Sequence, residues 1–149
     1  MPINVTEDAE YASGTNVHAA YTIPEARVCG YGTSTTAANP INRLSVTGAA
    51  KLKGVTRRAI APGQTGDVAV EGVTEVETDG AGTVQAGDRL AASVSVDSTG
   101  GRVYSTRATA PAAGAVVHLV GIAEDGAPAV AGTRIRVRLT PGATLTGTA

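Results

Sequence analysis

The sequence predicts an all-β fold: a single small barrel-like or sandwich domain with an extended N-terminal arm. Three observations carry this. Val and Thr dominate the apolar runs, and both favour strands because they branch at Cβ. The 19 Gly and 7 Pro of the 149-residue chain fall mostly between those runs, where they punctuate turns. No segment holds an i, i+3, i+4 apolar pattern over helical length. A chain of this size fits one domain, or one domain with an arm.

The core material is unusual. There is no Trp or Phe and there are only 4 Tyr. Aromatic side chains bury the most area per residue, so this core gains less per position. Help from oligomerisation or from docking on a larger partner is therefore expected.

Taken in order, residues 1–32 read as an arm or extended segment, with a disordered tail or a strand completing the barrel as the alternatives, and 33–149 as the β domain. The first 25 residues carry Glu7, Asp8, Glu10 and Glu25, with Tyr11 and Tyr21 and little apolar periodicity. A short strand is expected near Ala26–Cys29, with loops around Gly30-Tyr31-Gly32. Leu44-Ser45-Val46-Thr47 alternates before Gly48, and Lys51-Leu52-Lys53 leads into Gly54-Val55. A turn at residues 61–66 precedes a strand at Asp67–Val73, and further turns fall at Gly80-Ala81-Gly82 and Ala86-Gly87-Asp88. Val94 and Val96 alternate before the hairpin signal Ser98-Thr99-Gly100-Gly101, and Arg102–Ser105 returns. The run Ala115–Ile122 reads as a strand buried on both faces. Residues 108–117 have room for a short helix, which Pro111 and Gly114 oppose. In the clearest strand, Ile135, Val137 and Leu139 face one way and Arg134, Arg136 and Arg138 the other.

There is a faint internal repeat. Gly54-Val55 precedes Val68-x-Val70 by the interval at which Gly121-Ile122 precedes Ile135-x-Val137. Two such units would pack as related halves of one barrel; the few matched positions leave coincidence as the alternative.

Charge excludes some partners. The formal net charge is −1, so no overall excess points to nucleic acid or anionic lipid. The distribution is uneven. Six basic residues and no acid lie between Ala26 and Gly66, then five acids and no base between Asp67 and Asp79. Such segregation marks either head-to-tail complementarity between subunits or a mixed solvated surface. Lys51, Lys53, Arg57 and Arg58 form the best basic cluster, but no aromatic lies close enough in sequence for base stacking, so specific nucleic-acid binding is not expected. The three arginines at 134, 136 and 138 would repel at roughly 7 Å spacing unless acids oppose them. Glu71, Glu75 and Glu77 are the candidates, from the same subunit or a neighbour.

Catalytic and metal chemistry is not expected. The only histidines are His18 and His118, and no Ser sits in a Gly-x-Ser-x-Gly elbow. One Cys and two scattered His make no metal cluster. Glu124-Asp125-Gly126 reads as a turn, and Gly30–Thr35 lacks the Gly-Lys-Ser/Thr ending of a phosphate loop. No cofactor is implied. The lone Cys29 cannot form an internal disulfide, which fits a reducing compartment, and it reads as a small buried hydrophobe. Met1–Glu10 is acidic and lacks an apolar stretch, so export is not expected. No run reaches the roughly 20 apolar residues that span a bilayer, so no membrane partner is expected.

Several of these segments also resemble a known family. Leu52-Lys53-Gly54-Val55, Gly66–Val73, Val84–Leu90 with its Ala-Gly-Asp centre, Gly121–Asp125 and Gly132–Leu139 are similar, in order, to elements of the tailed-phage head decoration or capsid cement proteins. The resemblance runs over about Ile41 to Pro141; residues 1–32 have no matching motif. It implies a compact β-barrel-like structural protein, not an enzyme, on the exterior of the virion capsid. The implied partners are the major capsid protein and the chain itself, as a homotrimer at three-fold and quasi-three-fold positions, and synthesis is expected in the host cytoplasm. Candidate capsid or subunit contacts are Tyr11, Tyr21, Arg57, Arg58, Arg134, Arg136 and Arg138. A phage tail, fibre or baseplate β-module is the alternative, and an enzyme a distant third.

Overall fold

The computed structural model describes residues 9–44, 51–94 and 100–148. Among them there is no helix; the elements are ten strands. They are β1 (Ala9–Asn16), β2 (Val28–Tyr31), β3 (Pro40–Arg43), β4 (Leu52–Thr56) and β5 (Thr65–Glu77). Then come β6 (Arg89–Ala92), β7 (Val103–Ser105), β8 (Val116–Ala123), β9 (Arg134–Leu139) and β10 (Thr144–Thr146). The expected boundary at residue 32 falls between β2 and β3, two strands of one sheet. Within the stretch expected to be an arm, Ala9–Asn16 pairs along the first half of β5.

The first five strands close on themselves. β1 pairs β3 in parallel, β3 pairs β2, β2 pairs β4, β4 pairs β5, and β5 returns to β1. Closure removes the free edges that an open sheet would expose. The second half of β5 then starts a second ring through β9, β8, β6 and β7. A single parallel bridge, Thr78 to Val103, brings that ring back to the end of β5. β10 lies outside the ring, along the start of β8.

The two rings are copies of one plan. Asn16 is the parallel partner of Ile41 in the first, and Thr78 of Val103 in the second. Val28 opposes Val55, and Arg89 opposes Ile122; in both pairs of strands a bulge comes next, after Cys29 and after Leu90. The bridge Ile23–Ile60 answers Val84–Ala127. The turns that lead into β2 and β6 each need one left-handed residue, Ala26 at φ 57° and Gly87 at φ 91°. The repeat read from the sequence is therefore present, with one correction. Gly54 lies against Val68, and Gly121 against Val137 rather than Ile135. Val68 comes 8 residues after Ile60 but Val137 comes 10 after Ala127, so the second loop is two residues longer.

Each ring fills its own interior. Ile23, Cys29, Ile41, Ile60 and Val68 pack inside the first. Val76, Val84, Leu90, Val103, Ile135 and Val137 belong to the cluster of the second. Val28, Leu44 and Val55, which are not part of the first interior, join that second cluster and so weld the two barrels together. Burial holds the Cys29 thiol up at about 12, an inert group.

Two local expectations change. The run ending at Ile122 is not buried on both faces: Val116, His118 and Ile122 are exposed on β8. Gly30 and Tyr31 belong to β2 rather than to a loop. Residues 108–117, where Pro111 and Gly114 oppose a helix, hold turns and the start of β8. The strand expected through Ser45–Thr47 and the Val96–Thr99 part of the hairpin lie outside the described residues.

Candidate functional site

The seven candidate contact residues do not gather in one place. Four of them do. Tyr11 on β1, Arg57 and Arg58 just past β4, and Arg134 at the start of β9 line one shallow depression of about 210 Å³ at the junction of the barrels. The rest of its wall includes Glu25, Thr74 and Glu75. Local structure explains the convergence. β4 ends at Thr56, whose buried hydroxyl donates to the Pro24 carbonyl and fixes the Pro24–Ala26 turn beside it. The amide of Glu77 donates to the Ala26 carbonyl, which brings the far half of β5, and with it β9, to the same turn.

Electrostatics set the shape of this surface. Arg134 donates to Glu25 at 2.7 Å and also lies 3.7 Å from Glu77 and 4.0 Å from Glu75. The hydrogen bond and charge of Arg134 hold the Glu25 carboxyl below its ordinary range, and the same contact raises the guanidinium. Glu25 is therefore an ionised anchor rather than a proton donor. The Arg57 guanidinium stacks 5.0 Å above the Tyr11 ring and reaches Asp67 at 4.0 Å. Arg58 is exposed beside them and makes no ion pair among the described residues.

The other candidates lie apart. Arg136 forms a forked pair with Asp125, through Nε at 2.9 Å and Nη2 at 2.6 Å, and its amide donates to the same carboxylate. Those contacts hold Asp125 below the usual carboxylate range. Arg138 donates to Glu124 at 2.8 Å. Tyr21 packs on the interior of the first barrel under Arg43, 4.6 Å from the ring centre. The acids expected to oppose the arginine face are partly as expected: Glu77 and Glu75 stand opposite Arg134 and Arg136 in register. Glu71 does not, because β5 passes from one barrel to the other and Glu71 pairs with Glu10, while Val73 faces Arg138.

Sequence reasoning missed Glu25 and Glu75 as members of the depression. The signal for Glu25 was the turn Pro24-Glu25-Ala26, which is the counterpart of Gln85-Ala86-Gly87 in the second barrel. A second hollow of about 460 Å³ is lined by Tyr31, Lys53, Val70, Glu71, His118 and Leu119 among others, with Lys53 5.1 Å over the Tyr31 ring. Among the described residues no group of His, Cys, Asp and Glu is arranged to hold a metal ion. Among the described residues no helix is long and apolar enough to cross a membrane.

The arrangement is one of paired arginines, stacked tyrosines and shallow relief. Tyr and Arg are among the side chains most enriched where protein surfaces bind each other, which suits contact better than enclosure of a small molecule. None of the curated proteins matches the chain. A family model described as phage cement protein matches residues 9–139, which runs from the first residue of β1 to the last of β9 and takes in both barrels.

Proposed function

The chain belongs to the phage cement protein family, and from that premise we propose that it binds the outside of the major capsid lattice and stabilises the expanded head. Its role in the phage is structural and capsid-associated. It sits as a homotrimer at three-fold and quasi-three-fold positions. Synthesis in the host cytoplasm fits its single, buried, unpaired Cys29. It has no catalytic step.

The observation that carries the contact assignment is the junction depression, where Tyr11, Arg57, Arg58 and Arg134 share one exposed surface. Aromatic and guanidinium groups already ordered by stacking and ion pairing lose little freedom on binding. Arg136, Arg138 and Tyr21 are the outlying candidates. Stabilisation then arises from numbers: each copy bridges neighbouring capsid subunits, and separating them requires breaking several modest contacts together.

Co-sedimentation of the purified chain with expanded, undecorated heads of the same phage tests this. The expected result is saturable binding near one copy per major capsid subunit. A folded chain that ignores such heads overturns the proposal and leaves a tail, fibre or baseplate module as the reading. Robust turnover of generic ester, phosphate or glycoside substrates would overturn the non-enzymatic part.

A further inference from the structure

The two barrels treat one row of side chains differently. In the first, Val28, Val55 and Ala69 are consecutive cross-strand partners on β2, β4 and β5. Each is at most 1% exposed. Val28 and Val55 face away from the first interior and pack into the cluster of the second barrel, whose Gly101 carbonyl also accepts the Val28 amide at 2.8 Å. This row is thus a working packing surface between two folded units.

The corresponding row of the second barrel is Arg89, Ile122 and Arg138 on β6, β8 and β9, in the same pairing. Among the described residues no third barrel covers it. Ile122 is 38% exposed where its counterpart Val55 is at 0%. Arginines stand on both sides of it. Arg138 is held by Glu124, but Arg89 makes no ion pair among the described residues. An apolar centre flanked by guanidinium groups suits a partner that offers acid beside an apolar surface.

The chain itself carries such a surface. Glu10 and Glu71 are exposed and directly opposite each other across β1 and β5. Like charges in that position repel, and neither makes an ion pair among the described residues. Beside Glu71 a hollow holds Val70, Leu52 and the 54% exposed ring of Tyr31, with Lys51, Lys53 and His118 also on its wall. Arg134, Arg136 and Arg138 all find acids within the chain, whereas Glu71 and Arg89, like Lys51, Lys53 and Arg58, make no ion pair among the described residues.

We propose that the Arg89–Ile122–Arg138 row of one copy docks on the Glu10–Glu71 surface of a second copy. The contact is head-to-tail: one copy uses its second barrel and the next its first. Such an interface generates closed rings when the rotation between copies closes, and a trimer is one such ring. The inference rests on the proposed self-assembly and names its contact, but it does not require head binding.

Sedimentation velocity of the full chain, from micromolar to millimolar, provides the test. The unaltered chain is expected to self-associate. Arg89→Glu, Glu71→Arg and Ile122→Asn should each weaken association by about tenfold or more. The double variant carrying both Arg89→Glu and Glu71→Arg should recover it, because the reversed charges meet again. Circular dichroism on every variant establishes that it is folded. A chain that stays monomeric at millimolar concentration overturns the inference, as do single variants that associate normally or a double variant that does not recover. Uptake onto expanded heads is measured in parallel. A chain that decorates heads but never self-associates overturns this inference alone. One that self-associates through these residues and ignores heads overturns only the capsid proposal.

Discussion

Gly54 and Gly121 occupy the same place in the two barrels. A methyl group on Gly54 would stand 2.1 Å from the carbonyl oxygen of Ala69, and one on Gly121 2.1 Å from that of Arg138. In each case the same methyl would also press on a valine, Val68 or Val137, at 2.9 and 2.8 Å. The obstruction is backbone of the neighbouring strand, so no side-chain rotation relieves it.

Gly54→Ala and Gly121→Ala should therefore destabilise by similar amounts, about 2–3 kcal/mol each, the scale of core overpacking. Gly87 supplies the contrast. Its φ is 91° and nothing lies within 4 Å of an added methyl, so Gly87→Ala meets only backbone strain, about 1 kcal/mol. Denaturant midpoints of the three variants at constant m-value measure the difference. Equal losses at Gly54 and Gly87 would refute the close-approach account.

The period of a strand decides how much of this fold was legible in the sequence. Gly54-Val55 and Gly121-Ile122 are visible as a repeat because a glycine forced by close approach leaves the same mark twice. The strand after Gly121 sits two residues out of the expected register, with Val137 in the place assigned to Ile135. A slip of two keeps every side chain on its own face, so alternation cannot detect it. β9 is plain because Arg134, Arg136 and Arg138 alternate with apolar residues. β1 is not, because its inward positions are Ala12, Gly14 and the fully buried Asn16. A methyl group on Gly14 would meet the Ile41 side chain at 2.8 Å, so the interior there admits no larger residue to announce the strand. Asn16 is accommodated because its amide donates to the Tyr21 and Ile60 carbonyls. Of the candidate site, the arginines could be named but not assembled. Only the fold brings residues 11, 57, 58 and 134 together.

The Ala-Gly-Asp segment is a structural clamp. The buried Asp88 carboxylate accepts from the Gln85 amide at 2.9 Å, the Ser105 hydroxyl at 2.7 Å and Arg107 Nε at 3.1 Å. Burial alone would raise its pKa, but the bonds from Arg107, Gln85 and Ser105 outweigh it and leave the group below its ordinary value. A carboxyl lowered in the folded state contributes stability that is present above its unfolded pKa of roughly 3.9 and is lost as pH falls through the folded value. Asp88→Ala should cost about 2 kcal/mol near neutral pH through the donors it strands. It should also flatten the fall of stability below about pH 4. Thermal unfolding of both proteins across acid pH gives the comparison; parallel curves would rule out Asp88 as an acid-sensitive clamp.

Val55 and Ile122 hold matching positions with opposite burial, so the same change should have different consequences. Val55→Asn places an amide between the barrels and should cost about 2–4 kcal/mol. Ile122→Asn lies on an open face and should alter stability by no more than about 0.5 kcal/mol. Chemical unfolding of the dilute chain reads both. A large loss at Ile122 in dilute solution would mean that its face is already packed within one copy.

The junction depression predicts a separation of stability from binding. Arg58 is exposed, so Arg58→Glu should leave the unfolding midpoint within about 0.5 kcal/mol of the parent. If the depression meets an acidic patch of the capsid, the reversal should weaken uptake onto expanded heads by about tenfold. Raising salt should weaken the parent more than the variant, since the attraction is screened over roughly 8–10 Å. Tyr11→Ala removes the ring beneath Arg57 and should also reduce uptake, but with little change in salt dependence, because a stacking platform rather than a charge is lost. Binding isotherms on heads at two salt concentrations distinguish these outcomes. Unchanged uptake by both variants would move the capsid contact away from the barrel junction, toward the outlying Arg136, Arg138 and Tyr21.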